Sequence, residues 1–122
     1  MSRKRVLVAD DEPSIVTALE FLLSREGYEV QVARNGEEAL RLVEHAPPDL
    51  VLLDVMMPLK SGHEVCQRIR SRPEWRGVKI VMLTAKGGDA EVSRGIDVGA
   101  DLYVTKPFST RELMERIRSL LG

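Results

Sequence analysis

The chain has 122 residues, of which 43% are apolar and 30% are charged, a composition typical of one globular domain large enough to enclose a core. Its 18 basic and 19 acidic residues give a formal net charge of −1, so no general attraction to nucleic acid or to an anionic membrane is expected. No apolar stretch approaches the roughly 20 residues that span a bilayer, and acidic residues follow too soon after the N-terminus for a signal peptide. We therefore expect a cytoplasmic protein with one domain, residues 1–122, and a local functional site.

Strand and helix patterns alternate along the chain. Five apolar runs predict strands at 6–9, 28–33, 49–54, 79–84 and 102–104. Apolar residues at helical spacing between the runs predict five helices, of which the first spans Pro13 to Arg25 and the fifth starts with the capping-box pair Ser109 and Glu112. The apolar positions of these helices are Ile15, Ala18, Leu19, Leu22 and Leu23; Ala39, Leu40 and Val43; Val65, Cys66 and Ile69; Val92 and Ile96; and Leu113, Ile117, Leu120 and Leu121.

Five consecutive β–α units predict a mostly parallel sheet with helices on both faces, because parallel neighbours need crossover connections. Strands one, three and four contain the continuous apolar runs VLVA, LVLL and IVML, which are typical of strands covered on both faces. In the second strand, Tyr28, Val30 and Val32 alternate with Glu29, Gln31 and Ala33, as in a strand with one covered face. The second strand is therefore predicted to lie at an edge. This pattern fits a doubly wound α/β fold with five parallel strands in the order 2-1-3-4-5.

Polar residues stand at the carboxyl ends of the predicted strands, where ligands bind in such sheets. These residues are Asp10 and Asp11 after the first strand, Asp54 at the end of the third, Thr84 at the end of the fourth and Lys106 after the fifth. Two carboxylates about 5 Å apart at an effective dielectric near 20 repel by roughly 3 kcal/mol, so the cluster needs a cation. Oxygen ligands without His or Cys favour Mg²⁺. Taken singly, each aspartate is equally typical of a helix N-cap.

A carboxylate whose charge is neutralised by a metal can attack phosphorus and form an aspartyl phosphate. The metal, a lysine and a hydroxyl then stabilise the transferring oxygens. The predicted site therefore indicates phosphoryl transfer to the protein itself.

The sequence resembles the receiver domain of bacterial two-component response regulators, the CheY-like fold. The resemblance covers essentially the whole chain. It rests on VLVADDEP, on LVLLDVMMP followed by Gly62, on VMLTA and on GADLYVTKPF, in this order and spacing. Each motif alone is weak evidence, but the whole set of motifs is highly specific for this family.

The resemblance implies that Asp54 is the phosphoacceptor and receives its phosphoryl group from a phosphohistidine of a sensor histidine kinase or phosphotransfer protein. It implies that Asp11, Asp54 and the backbone carbonyl of Met56 bind Mg²⁺ directly, and that Asp10 acts through a metal-bound water. Lys106 is implied to pair with a phosphoryl oxygen. A cis peptide bond between Lys106 and Pro107 is implied as well.

Thr84 and Tyr103 are implied to form a switch. As Thr84 moves to the phosphoryl group, Tyr103 swings inward and reshapes the surface of the fourth helix, fifth strand and fifth helix, which contacts an output domain or target protein. A static strand residue is the alternative interpretation of Tyr103. Met56, Ala85 and Lys86 are implied to flank the site, and the side chains of Met56 and Lys86 are implied to influence entry of the hydrolytic water.

Two residues depart from the family's usual pattern: Leu102 replaces the second acid of GADDY, and Val92 stands where winged-helix regulators often have a base. Both departures weigh against the dimer of that branch. Candidates for other ion pairs on that face are Arg94, Asp101, Glu112 and Arg116. His45 and His63 lack metal-ligand spacing and are expected at the surface.

Two alternative functions fit the sequence less well. An aspartyl-phosphate phosphohydrolase, a Mg²⁺-dependent enzyme, is disfavoured because no acid stands two positions after Asp54 and no cap domain fits in 122 residues. An interaction module without phosphorylation is disfavoured by the intact set of acids, threonine and lysine. We therefore expect a signalling switch that catalyses its own phosphotransfer and dephosphorylation but is not an enzyme for any metabolite.

Overall fold

The computed structural model describes residues 3–85 and 99–122, except for the side chain of Ala85. Strands and helices alternate in the order β1 (Arg5–Ala9), α1 (Pro13–Arg25), β2 (Glu29–Ala33), α2 (Gly36–His45), β3 (Leu50–Asp54), α3 (Gly62–Arg70), a 3-10 helix (Pro73–Trp75), β4 (Lys79–Ala85), β5 (Leu102–Lys106) and α4 (Thr110–Leu121). The predicted fourth helix, with Val92, Arg94 and Ile96, lies outside the described residues, as does Lys86. The helix named α4 is therefore the fifth one predicted.

The five strands form one parallel sheet in the order β2-β1-β3-β4-β5. This order and the edge position of β2 confirm the predicted fold. Ala9 of β1 is paired with Leu53 of β3, and Asp54 is paired with Leu83 of β4. As a result, Asp10, Asp54 and Thr84 come to the same edge of the sheet.

Both faces of the sheet are covered, which explains the continuous apolar strands. Leu7, Val51 and Leu53 pack with α2 and α3, while Val6 and Val8 belong to the core on the side of α1 and α4. Cys66 is buried as predicted, and burial raises the pKa of its thiol to about 11. No helix in the described ranges is long and apolar enough to cross a membrane.

The buried face of α1 differs in part from the predicted one. Leu19 and Leu23 are buried as predicted, and Ile15 and Leu22 are partly buried against the core. Val16 is buried as well, whereas Ala18 is exposed. This face packs against β1, β2 and α4.

The start of α3 lies directly against the end of β3. A Cβ atom on Gly62 would stand 2.4 Å from the carbonyl oxygen of Asp54, and the Gly62 N–H donates to the Val55 carbonyl at 3.0 Å. Ser61 and Glu64 form a full capping box there, which the same S-x-x-E rule could have predicted. At α4, the Ser109 hydroxyl accepts the N–H of Glu112 at 3.2 Å.

At the opposite end of α3, Arg70 joins three segments. Its guanidinium donates to the carbonyls of Gly99 at 2.9 Å and Val78 at 2.7 Å, and to Asp101 Oδ2 at 2.7 Å. The same Asp101 oxygen accepts the Ile80 N–H at 2.8 Å. Asp101, expected to be available for an ion pair between copies, is thus engaged within the chain.

Candidate metal and phosphoryl site

Three carboxylates meet at the carboxyl edge of β1 and β3. One oxygen each of Asp10, Asp11 and Asp54 lies within 4.8 Å of the other two. Asp10 and Asp54 are buried, at 0% and 6% exposed, and Asp11 is exposed. The pairing of β1 with β3 creates this cluster because it brings the two strand ends side by side.

Asp10 and Asp54 accept hydrogen bonds from their own loops, and none of the three aspartates caps a helix. Asp10 Oδ1 accepts the N–H of Glu12 at 2.9 Å, and Asp54 Oδ1 accepts the N–H of Met56 at 3.2 Å, as short polar side chains do in turns. The residue preceding α1 is Glu12, whose side chain makes no capping bond, and α3 is capped by Ser61. The N-cap interpretation of these aspartates is therefore wrong.

Lys106 reaches into this cluster from the end of β5. Its Nζ lies 3.0 Å from Asp10 Oδ2, 3.0 Å from Glu12 Oε1 and 3.5 Å from Asp54 Oδ1. Burial alone would lower the pKa of Lys106, but its close contacts with the carboxylates of Asp10 and Glu12 and the charges of Asp10 and Asp54 outweigh burial and raise this pKa. The peptide bond between Lys106 and Pro107 is cis.

Glu12 also belongs to this cluster, although no role is predicted for it from the sequence. The signal was present, since three consecutive acids, Asp10, Asp11 and Glu12, precede Pro13. The hydrogen bond between Lys106 and Glu12 could not be predicted from local sequence, because the two residues are 94 positions apart.

The cluster carries more negative than positive charge. Burial and the charge of Asp10 raise the pKa of Asp54 from 3.8 to about 7, although Lys106 opposes the shift. Asp10 Oδ2 is buried without a hydrogen bond of good geometry, and the Lys106 ammonium is its near contact. A buried, unsatisfied carboxylate oxygen beside two other carboxylates fits a hard divalent cation such as Mg²⁺.

Thr84 and the residues around it occupy the neighbouring strand ends. Thr84 is 1% exposed and follows Leu83, the partner of Asp54. Ala85 is paired with Lys106 in β5. Met56, by contrast, is 70% exposed, so its side chain lies at the open rim.

His63 is buried, at 4% exposed, which corrects the expectation of a surface histidine. Its Nε2 lies 3.2 Å from the hydroxyl of Tyr103. The i, i+3 spacing between His63 and Cys66 is the signal that could have placed His63 on the buried face of α3. Tyr103 packs against the core on that side of the sheet.

A groove of about 280 Å³ lies between β5 and α4. It is lined by Tyr103, Phe108, Glu112 and Arg116, among other residues. It forms the described part of the surface that is predicted to contact an output domain or target protein.

Comparison with known proteins agrees with this geometry. Residues 6–118 match the response regulator receiver domain family. A CheY-like response regulator receiver domain protein from Methanospirillum hungatei JF-1 is 32% identical, with a TM-score of 0.92 and coverage of 98% of this chain and 94% of that one. The chemotaxis response regulator CheY4 of Vibrio cholerae is 32% identical, with a TM-score of 0.91 and coverage of 98% and 100%.

A third structure bears on the carboxylates. The receiver domain of a sensor histidine kinase from Pseudomonas aeruginosa PAO1 has magnesium coordinated in its active-site cleft; it is 28% identical, with a TM-score of 0.89 and coverage of 99% of each chain. The family match extends over most of the present sequence, and the sheet has the order of the CheY-like fold. This chain therefore belongs to the response regulator receiver domain family.

Proposed function

We propose that the chain is a phosphorylation-controlled signalling switch in which Asp54 accepts a phosphoryl group from a phosphohistidine of a sensor histidine kinase or phosphotransfer protein. The observation that carries this proposal is the cluster of Asp10, Asp11 and Asp54 within 4.8 Å of one another, with the Lys106 ammonium 3.5 Å from Asp54. The domain works in the cytoplasm, and it transforms no metabolite.

Asp54 acts as the nucleophile. Its carboxylate oxygen forms a bond to phosphorus while the bond from phosphorus to the donor's imidazole nitrogen breaks, and the electron pair leaves with that nitrogen. Lys106 exchanges its contact with Asp54 for one with a non-bridging phosphoryl oxygen. Asp11, Asp54 and the Met56 carbonyl would hold Mg²⁺, which would neutralise the negative charges that meet there. Hydrolysis of the aspartyl phosphate by water resets the switch.

The change at Asp54 is transmitted through the end of β4 to β5. Phosphorylation adds about −1.5 to −2 charges and new acceptor oxygens. The buried Thr84, at the end of β4, offers its hydroxyl as a donor to these oxygens. Movement of Thr84 changes the space open to Tyr103 and so reshapes the groove between β5 and α4. An output domain or a separate target protein reads that surface.

The test is incubation with Mg²⁺ and acetyl phosphate, followed by intact mass spectrometry. We expect a gain of one phosphoryl group that disappears with EDTA and in Asp54→Asn, and no turnover of free phosphate esters. A gain that persists in Asp54→Asn, or none at any Mg²⁺ concentration, contradicts the proposal. Glu20→Gln on the exposed face of α1 serves as the control.

A further inference from the structure

His63 is a buried polar residue to which the proposed phosphoryl transfer assigns no role. In the described part of the chain, the buried polar side chains are Asp10, Asp54, Thr84 and His63. The first three belong to the carboxylate site or its edge. His63 instead lies in the first turn of α3, so its burial calls for a separate explanation.

The imidazole of His63 is bonded to Tyr103. Its Nε2 is 3.2 Å from the phenol oxygen, so the end of the Tyr103 ring points at a buried side chain of α3. A phenol hydroxyl can donate to, or accept from, an imidazole nitrogen. Rotation of Tyr103 away from α3 would break this bond whichever group donates.

The first turn of α3 packs directly against the backbone of Asp54 and Val55. Gly62 donates its N–H to Val55 at 3.0 Å, and it approaches the Asp54 carbonyl so closely that a Cβ would lie 2.4 Å from that oxygen. The capping box of Ser61 and Glu64 fixes the orientation of the turn. A shift of the loop after Asp54 therefore displaces His63 as well.

We propose that His63 is a positioning residue that holds Tyr103 inward before any phosphoryl group is present. This inference rests on the proposed function, in which Tyr103 follows the state of Asp54. A signal shifts a two-state equilibrium only by the difference in its interactions with the two conformers. The hydrogen bond to His63 raises the resting population of the inward conformer, and α3 provides a second connection from Asp54 to Tyr103 beside Thr84.

The chain offers a direct probe because it contains only two tyrosines, Tyr28 and Tyr103. In a Tyr28→Phe background labelled with 3-fluorotyrosine, fluorine NMR reports Tyr103 alone. Spectra are recorded for this parent, His63→Leu, His63→Gln and the control His45→Leu, which alters an exposed histidine at the end of α2. Each is measured at rest and with Mg²⁺ and beryllofluoride.

We expect the resting parent to resonate near its activated position. His63→Leu should reduce the ratio of inward to outward Tyr103 roughly five-fold, the usual effect of one hydrogen bond. His63→Gln, whose amide nitrogen can replace Nε2, should restore much of that ratio, and His45→Leu should not change it. A resting resonance that is the same in His63→Leu and the parent overturns the inference.

Two further measurements keep the outcome decisive. If His63→Leu does not fold by circular dichroism, His63→Asn, whose amide is too short to reach Tyr103, is interpreted in the same way. Mass spectrometry after acetyl phosphate treatment of the parent tests the proposed function separately. A resonance that depends on His63 without phosphorylation of Asp54 supports the positioning role and contradicts the proposed function, whereas the reverse result overturns the positioning role alone.

Discussion

The charged side chains are paired at the amino end of the sheet, whereas negative charge is in excess at the carboxyl end. At the amino end, Arg70 and Asp101 are paired at 2.7 Å and bonded to backbone groups. At the carboxyl end, one ammonium contacts the carboxylates of Asp10, Glu12 and Asp54. Asp11 adds a further carboxylate beside Asp10 and Asp54, and a buried oxygen of Asp10 lacks a hydrogen bond of good geometry. The amino end therefore stabilises the fold, whereas the carboxyl end reduces stability and prepares the site to bind a cation.

The largest expected effect is at the amino end. Arg70→Ala removes three hydrogen bonds and leaves Asp101, whose side chain is 30% exposed, without its guanidinium. We expect a loss of about 2–4 kcal/mol in the free energy of unfolding, measured by urea denaturation. Arg70→Lys should recover only part of this loss because an ammonium cannot reproduce the planar fork.

Arg111→Ala is the matched control, since Arg111 is 89% exposed and pairs with Glu115 on the same helix. Its effect should stay within about 0.5 kcal/mol. An equal loss in Arg70→Ala and Arg111→Ala would show that the amino end is not specially stabilised.

At the carboxyl end, removing a charge should have the opposite sign. Without divalent cations, Asp54→Asn should increase the free energy of unfolding by on the order of 1–3 kcal/mol, because each unit of raised pKa corresponds to about 1.4 kcal/mol. Chemical denaturation in EDTA measures the change. Destabilisation by Asp54→Asn in EDTA would contradict the excess of negative charge at the site.

The pH dependence of the free energy of unfolding should reveal the titration of Asp54. Asp54 has a pKa of about 7 in the folded chain against 3.8 ordinarily, so folding favours its protonated form. Its favourable contribution is complete below about pH 4 and is lost as the pH rises through about 7. The stability difference between the parent and Asp54→Asn in EDTA should therefore widen over this range, as pH-dependent urea titrations can show, whereas a constant difference would exclude the shift.

The smallest expected effect concerns α3, which joins the two ends. Ser61→Ala removes the capping bond to Glu64 and should cost about 1 kcal/mol, as measured by thermal unfolding. Ser14→Ala, at an exposed serine in the first turn of α1, should have almost no effect. Equal changes in the two variants would mean that the capping box does not stabilise α3.

Prediction from sequence worked where local pattern determines the structure. The apolar runs and the spacing of Pro13 to Arg25 identified the strands and α1, and the strand order then brought Asp10, Asp54 and Thr84 to one edge. It did not reveal contacts between distant segments. The bonds of Lys106 to Glu12 and of Tyr103 to His63 depend on how β5 lies beside α1 and α3 in space, which no local periodicity encodes.

The central claim is that a divalent cation balances the carboxylates of this site, and Mg²⁺-dependent unfolding tests it most directly. Asp11 is exposed, and its charge is the smallest of the causes that raise the pKa of Asp54, so Asp11→Asn should raise the unfolding temperature in EDTA only slightly. Addition of MgCl₂ should raise the unfolding temperature of the parent with increasing concentration, raise that of Glu20→Gln equally, and raise that of Asp11→Asn far less. An equal response of all three proteins to MgCl₂, or none in the parent, would contradict the account.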